Sequence, residues 1–407
     1  MDKHRKALLV VFLTVFIDLV GFGIIIPLSP YLARKFGADA LQVGLLMSIY
    51  SLMQFIFAPF WGSLSDRVGR RPIILLSLLG AALSHLLFAF GAHLPVLFVA
   101  RALAGFFGGN ISTAMAYVAD VTASKDRSKG MGLIGAAFGL GFILGPFIGG
   151  ISGYLGLELG EQPPLGESFP ALVAAFICFS NFVLAYFVLA ESLRPSQRDD
   201  LVARRHSRLL AVFKLYQRPV LGTVMLVYFL TIFAMANMEV SLFLYVREKF
   251  NWSLIEASWG FAYVGVIIAF VQGYLIRKLL PMWGERKLIF LGIPFFAFGL
   301  GLIGWSDSII LLAIAVTVLG LGSGLASPAL TGAISQLCSE TEQGIVMGAN
   351  QSLAAMARIV GPALGGWLYR DLGWSSPFFV GGVFALFALA LILPKLSAVP
   401  NAGKTHR

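Results

Sequence analysis

Long apolar runs separated by short polar segments govern this chain. They fall near 7–33, 41–61, 72–91, 95–119, 128–155 and 168–190, and again near 219–246, 254–276, 287–305, 309–335, 343–369 and 375–394. Crossing about 30 Å of hydrocarbon takes roughly 20 apolar residues in a helix. The runs are too long for barrel strands, and a single helix satisfies its own backbone in lipid. The pattern predicts an all-α membrane protein with twelve transmembrane helices in two pseudo-symmetric six-helix bundles. The bundles would span residues 1–190 and 219–394, joined by a cytoplasmic linker at 191–218 and followed by a tail at 395–407.

Composition agrees with a lipid solvent. Of the 407 residues 58% are hydrophobic and 12% charged, and the mean hydropathy is +0.85. A soluble chain this apolar would expose patches that aggregate. The net charge of +10 comes from basic residues set between apolar runs rather than on one soluble face, which argues against a nucleic-acid partner. Cys178 and Cys338 show no metal-ligand spacing and read as two packed thiols, so no metal is expected. The apolar run after Met1–Lys6 is too long for a signal-peptide core and reads as a retained first span.

Most Lys and Arg fall in the segments on one side of the predicted membrane, among them Lys3, Arg5, Arg67, Arg70, Arg71 and the seven basic residues of 191–218. The positive-inside rule then places both termini in the cytoplasm. In the linker, Leu201, Val202, Leu209, Leu210, Val212 and Phe213 alternate with that charge. This reads equally as a short amphipathic helix on the anionic leaflet and as a solvated connection.

An internal repeat divides the chain at the linker. Gly145-Pro146-Phe-Ile-Gly149-Gly150 recurs as Gly361-Pro362-Ala-Leu-Gly365-Gly366, and at the same spacing Met131-Gly132 recurs as Met347-Gly348 and Arg70-Arg71 as Arg286-Lys287. Two duplicated halves suit a transporter with its site between them.

Between the second and third runs stands Gly62-Ser-Leu-Ser-Asp66-Arg67-Val-Gly69-Arg70-Arg71. Charges this close to hydrocarbon need partners. The segment resembles the signature loop of major facilitator superfamily transporters, G-x-x-x-D-R-x-G-R-R, at every fixed position. The resemblance covers essentially the whole chain and implies a gating role for Gly62, Asp66, Arg67, Gly69, Arg70 and Arg71. In that family the aspartate meets the N-terminal end of the eleventh helix, where an anion is favourable, and Asp120 at the end of the fourth span fits the position that completes a charge relay with Arg70. Glu340 and Glu342 near Thr341 would repel Asp66 unless turned away.

Glycines at 141, 145, 149 and 153 lie on one face of the fifth span and admit a neighbour's backbone, while Pro146 removes a donor. Residues alone make this a packing seam. In the family, the pattern at Gly141, Gly145, Pro146, Gly149 and Gly150 resembles the antiporter motif of drug efflux proteins. The first span, Asp18-Leu-Val-Gly21-Phe-Gly23-Ile-Ile-Ile-Pro27, resembles that of the twelve-span drug:proton antiporters, the tetracycline efflux proteins among them.

Counting rise per residue places Asp18 about 16 Å into the membrane. A carboxylate there is neutralised by a proton or a cation. Arg101 in the fourth span is the natural partner, and Arg101-Ala-Leu-Ala-Gly105 resembles the family's R-x-x-x-G motif, with Ala104 where glutamine is usual. The repeat places Thr317 opposite Arg101. Asp18 and Arg101 therefore read as a proton-coupling pair, with a permanent structural ion pair as the alternative.

Glu239 and Arg358 form a second intramembrane pair of charges. Beside Met235, Met238, Phe243 and Tyr245, Glu239 reads equally as a seat for a lipophilic cation and as a salt bridge between spans. Gln54, Asn110, Asn181, Asn237, Asn350 and Gln351 either line a cavity or join helices at about 0.6 kcal/mol each. His85 reads as a proton carrier or as a packing histidine. No Walker loop occurs, so ATP is not the expected energy source, and no G-x-S-x-G or H-E-x-x-H supports an enzyme. The expectation is a monomeric transporter of a bacterial-type inner membrane. It needs no cofactor beyond the proton gradient, its partners are protons, membrane lipids and a small molecule, and it exports a lipophilic drug-like compound. The rival is a facilitator or proton symporter importing a sugar or other metabolite.

Overall fold

In the computed structural model, residues 3–122, 127–193, 218–339 and 342–400 are described. The linker side chains named above (Arg218 excepted), Glu340, Thr341 and the tail beyond 400 lie outside them, as do the side chains of Met131 and Gly132. Every element among the described residues is helical.

The chain divides into two compact units, Met1–Ala38 with Ile49–Arg205 and Asn251–Ala262, and Asp39–Ser48 with His206–Phe250 and Tyr263–Arg407. The first holds α1 (Lys3–Lys35), most of α2 (Ala40–Val68), α3 (Arg70–Ala89), α4 (Leu94–Gly108), α5 (Ile111–Val121), α6 (Arg127–Leu159), α7 (Phe169–Val188) and the start of α9 (Leu254–Phe270). Val11, Val15 and Leu19 of α1, Ile74 and Leu78 of α3, and Ala114, Tyr117 and Val118 of α5 form its buried core.

The second unit holds α8 (Pro219–Phe250), a π-helical turn at Val271–Leu275, α10 (Ile276–Gly304), α11 (Ile309–Gln336), α12 (Gln343–Leu372) and α13 (Ser376–Ile392). Glycines close its α10–α11 seam. A side chain at Gly322 would meet the Phe296 amide at 2.2 Å, and one at Gly292 the Ala326 amide at 2.7 Å. Small residues at such seams let backbones touch where lipid offers no hydrophobic drive.

Among the described residues, ten helical segments are long and apolar enough to cross a membrane, and one of them, Leu254–Gly304, runs to 51 residues. It is broken at Gly284, whose φ of 69° and ψ of 173° are not helical. α12 is not among the ten, since Gln343, Asn350, Gln351, Ser352 and Arg358 dilute its hydropathy. Outward-facing side chains such as Phe176, Phe187, Ile310 and Val383 are largely exposed, as a multi-pass membrane protein requires.

The helices extend beyond the apolar runs into polar sequence. The fourth span is two helices, α4 and α5, rather than one. The segment expected as a loop after the second span is mostly helix: Gly62, Asp66 and Arg67 belong to α2, Arg70 begins α3, and the break is the single residue Gly69. Its φ of 118° and ψ of 159° suit glycine and strain other residues.

Candidate functional site

Three clusters hold the candidate residues, and the first surrounds Gly69. Arg70, 4% exposed, reaches Asp66 (Nη1–Oδ1 2.6 Å) and Asp120 (Nε–Oδ2 3.2 Å). Its Nη1 also donates to Ser65 Oγ at 2.6 Å. Asp66 and Arg70 stand four positions apart on either side of Gly69, so their pairing ties the end of α2 to the start of α3 across the break. Arg70 and Asp120, paired from the sequence, are thus in contact. Arg67 is exposed, and a side chain at Gly62 would stand in ordinary contact with Ser112 of α5, 3.5 Å from its Oγ.

Sequence reasoning missed Glu191. Its carboxylate accepts from the Arg70 amide (2.9 Å) and the Arg71 amide (3.2 Å). α3 begins with unpaired amides and no cap from Gly69, so an acid from just beyond α7 supplies the anion its N-terminus favours. Ser192 Oγ donates to Asp120 (3.0 Å), Tyr117 to the Ala190 carbonyl (2.9 Å), and Arg71 to the Leu189 and Tyr186 carbonyls (2.8 and 2.6 Å). The end of α7 is thus tied to α3 and α5. An acid standing directly after an apolar run was the available signal.

The acidic approach to α12 is also partnered. Arg218 binds Glu342 with Nη2–Oε1 at 2.5 Å, and Ser339 Oγ donates to Glu342 at 2.9 Å. Those bonds hold the Glu342 carboxyl down at about 2 against an ordinary 4.5.

The second cluster surrounds Arg101, which is 2% exposed. Its guanidinium lies over the rings of Tyr50 (4.8 Å) and Phe22 (5.7 Å), which themselves stack at 4.5 Å. Glycines make this possible. A side chain at Gly105 would meet the Tyr50 carbonyl at 2.2 Å, and one at Gly108 the Tyr50 hydroxyl at 2.7 Å. The glycine of R-x-x-x-G therefore lets α2 approach α4 until Tyr50 underlies the cation.

Beyond Gly108 the helix breaks, and α2 takes up the released carbonyls. Gln54 Nε2 donates to Gly108 O (3.0 Å), and Trp61 Nε1 to Phe106 O (2.5 Å). Gln54 and Asn110, both read as substrate contacts, meet at this break, where Gln54 acts on backbone. Asn110 lines a narrow cleft with Asp18, Thr14, Val15, Leu78 and other residues of α1, α3 and α5. Arg101 is not part of that lining. Asp18 and Arg101 thus occupy neighbouring but distinct settings. Asn181 joins helices, donating to Thr14 O at 2.8 Å.

The third cluster lies in the second unit. Glu239 and Arg358 interact electrostatically, and Arg358 also acts on Tyr228, which hydrogen-bonds Thr331. Met235 and Glu239 are half-buried one turn apart, whereas Met238 and Phe243 are buried at 2% and 3%. Tyr245 is buried too, donating to Ser306 O at 2.8 Å. The wall expected around Glu239 is therefore mostly packed core.

The two Gly-Pro motifs make equivalent seams. A side chain at Gly145 would strike Gly23 Cα at 2.6 Å and one at Gly141 Leu19 Cβ at 2.7 Å, while one at Gly149 would lie in ordinary contact with Ile24 O at 3.4 Å and one at Gly150 would crowd Ser258 Cβ at 3.1 Å. In the second copy, a side chain at Gly361 would meet Ala236 Cβ at 2.9 Å and one at Gly366 the Ala40 carbonyl at 2.2 Å. α6 continues as helix through Pro146.

A helical multi-pass protein with charge clusters at its helix ends and ionisable groups at membrane depth fits the class of membrane transporters. Residues 11–284 and 279–406 match the Major Facilitator Superfamily, and the chain belongs to that family. It is 32% identical to the class B tetracycline resistance protein of Escherichia coli over 399 residues, 95% of this chain and 92% of that protein. To multidrug resistance protein 2 of Bacillus subtilis (strain 168) it is 31% identical, covering 97% and 96%. Among solved structures, the human organic anion transporter MFSD10 (TETRAN) superposes with a TM-score of 0.70 at 27% identity, over 96% of this chain and 100% of that one. The protein is a transporter of small molecules, not an enzyme.

Proposed function

We propose that the protein exports a lipophilic drug-like compound in exchange for protons, by alternating access between two six-helix bundles at 1–190 and 219–394. In this reading α9 to α10 holds two spans divided at Gly284, α12 is the eleventh of twelve, and both termini face the cytoplasm of a bacterial-type inner membrane. A monomer suffices, and the proton gradient drives it without a cofactor.

The observation that carries the reading is Asp18: a carboxylate on a membrane helix, set between core residues Val15 and Leu19, that opens onto a cleft shared with Asn110. A charge there is costly, and taking up a proton relieves the cost. Asp18 binds the proton that enters as substrate leaves, and Arg101, held over Tyr50 and Phe22, supplies the fixed cation of the same half. Tetracycline and multidrug resistance proteins among the relatives support efflux as the direction. Asp66, Arg70 and Asp120 form the gating relay, with Gly62, Arg67, Gly69 and Arg71 shaping its turn. Gln54, Asn110, Met235, Met238, Glu239 and Arg358 remain the candidate substrate contacts, Glu239 and Met235 foremost. The organic anion named for MFSD10 favours a second reading, in which the substrate is anionic and Arg358 meets it.

Proteoliposomes holding wild type or Asp18→Asn, given a pH gradient and then tetracycline, ethidium or a sugar panel, test the proposal. Proton flux opposite to substrate movement, abolished in Asp18→Asn, is expected. Sugar entry without proton flux, unchanged in that variant, would make the protein a facilitator.

A further inference from the structure

His85 belongs to none of the three clusters, yet it acts electrostatically on Arg101 of the second. It is buried on α3 at 4% exposure and faces a notch in α1. A side chain at Gly21 would sit 3.8 Å from His85 Nε2 and 2.6 Å from Cys178 Sγ. Glycine at 21 is what lets the imidazole and the thiol approach the α1 backbone together. Gly21 follows Asp18 by three residues, so the two share a helix face with side-chain origins about 5–6 Å apart.

The surrounding helices bring three ionisable groups to this place. α1 brings Asp18, α4 brings Arg101, and α7 brings Cys178. Arg101 interacts electrostatically with His85, and Asp18 with Cys178. Tyr50 of α2 lies beneath Arg101 on the far side. The neighbouring hydroxyl of Ser84 is occupied by Gly80 O at 2.6 Å, which leaves His85 as the proton-carrying group that α3 presents to the notch. Imidazole can accept at one ring nitrogen while donating from the other, and ionisable residues at membrane depth mark proton paths.

We propose that His85 relays the coupling proton to Asp18. One ring nitrogen gains a proton as the other releases one across the Gly21 notch. The released proton ends on the Asp18 carboxylate, the ring is left neutral, and no electrons are transferred. His85 sits one turn beyond Asp18 toward the C-terminal end of α1, the end from which the proton enters in the proposed orientation. The inference rests on the antiport reading and adds its second proton-handling residue.

The test compares wild type, His85→Gln, His85→Asn and Asp18→Asn in proteoliposomes with tetracycline as probe. Each is measured for substrate-dependent proton flux from pH 5 to 8 and for counterflow, which needs no net proton movement. In both His85 variants, proton flux should fall about tenfold or more beyond any fall in counterflow, with a flattened pH profile. Equal falls in both readouts assign His85 to packing and overturn the relay. A wild-type proton flux and pH profile in the His85 variants, with coupling lost in Asp18→Asn, overturns the relay and leaves antiport standing. Coupling retained in Asp18→Asn overturns both.

Discussion

The two halves of the chain use the same turn differently. After α2 and inside α10, a glycine with positive φ, Gly69 and Gly284, breaks the helix before a basic pair. In the first half, four charged side chains (Asp66, Arg70, Asp120 and Glu191) satisfy one another and the α3 amides. In the second, Arg286 donates to the Val399 carbonyl and Glu285 accepts from Gln336. The glycine break recurs one residue earlier in the second copy, and the contacts described at the two breaks differ in kind. The same asymmetry holds at depth, where Arg101 and Gly105 stand against Thr317 and Leu321.

The largest effect should come from placing the second half's residue in the first. Gly105→Leu drives a side chain into the Tyr50 carbonyl, and overpacking of this kind costs about 1–3 kcal/mol or more. Because the obstacle is backbone, the upper end is expected, with a marked fall in melting temperature in detergent. Insertion of glycine at Leu321 should not produce a matching gain. If Gly105→Leu melts like wild type, glycine is not what admits Tyr50.

Next, Glu191→Gln should destabilise the protein by about 1 kcal/mol through loss of the charged cap on α3, seen as faster amide exchange at Arg70 and Arg71. Arg286→Gln, at the second half's counterpart of Arg70, should change the α10 amides less. Equal effects would remove the asymmetry.

The smallest effect concerns Arg218 and Glu342. The depressed carboxyl contributes stability above pH 4.5, and that contribution is lost as pH falls toward 2. Glu342→Gln should therefore lower the melting point slightly at neutral pH, with the difference from wild type vanishing in that acid window. The pair is solvent-exposed and salt-screened, so the shift stays below those of the other two variants.

Much of the fold was legible because hydrocarbon imposes a length on every element. The apolar runs mark α1, α2, α3 and α11 to within a few residues, but not where polar sequence continues a helix. Asp66 and Arg67 read as loop because charge suggests solvent, whereas they continue α2 and the Asp66–Arg70 bond ties it to α3. The break after Gly108 was invisible because Trp61 and Gln54, which take up its carbonyls, lie a full span away. Arg70 and Asp120 were legible through a motif. Glu191, Tyr50 and Gly21 act through neighbours that only the folded chain supplies.

A hinge with no free chain has no backlash. Since one residue separates α2 from α3, and Glu191 clamps the first amides beyond it, a tilt of either helix must reappear in the other almost undiminished. In the proposed transport cycle the pair works as a rigid lever whose short arm is the Asp66–Arg70–Asp120 relay. A single extra residue beside Gly69 would leave every bond in that relay chemically possible and yet disconnect the two arms.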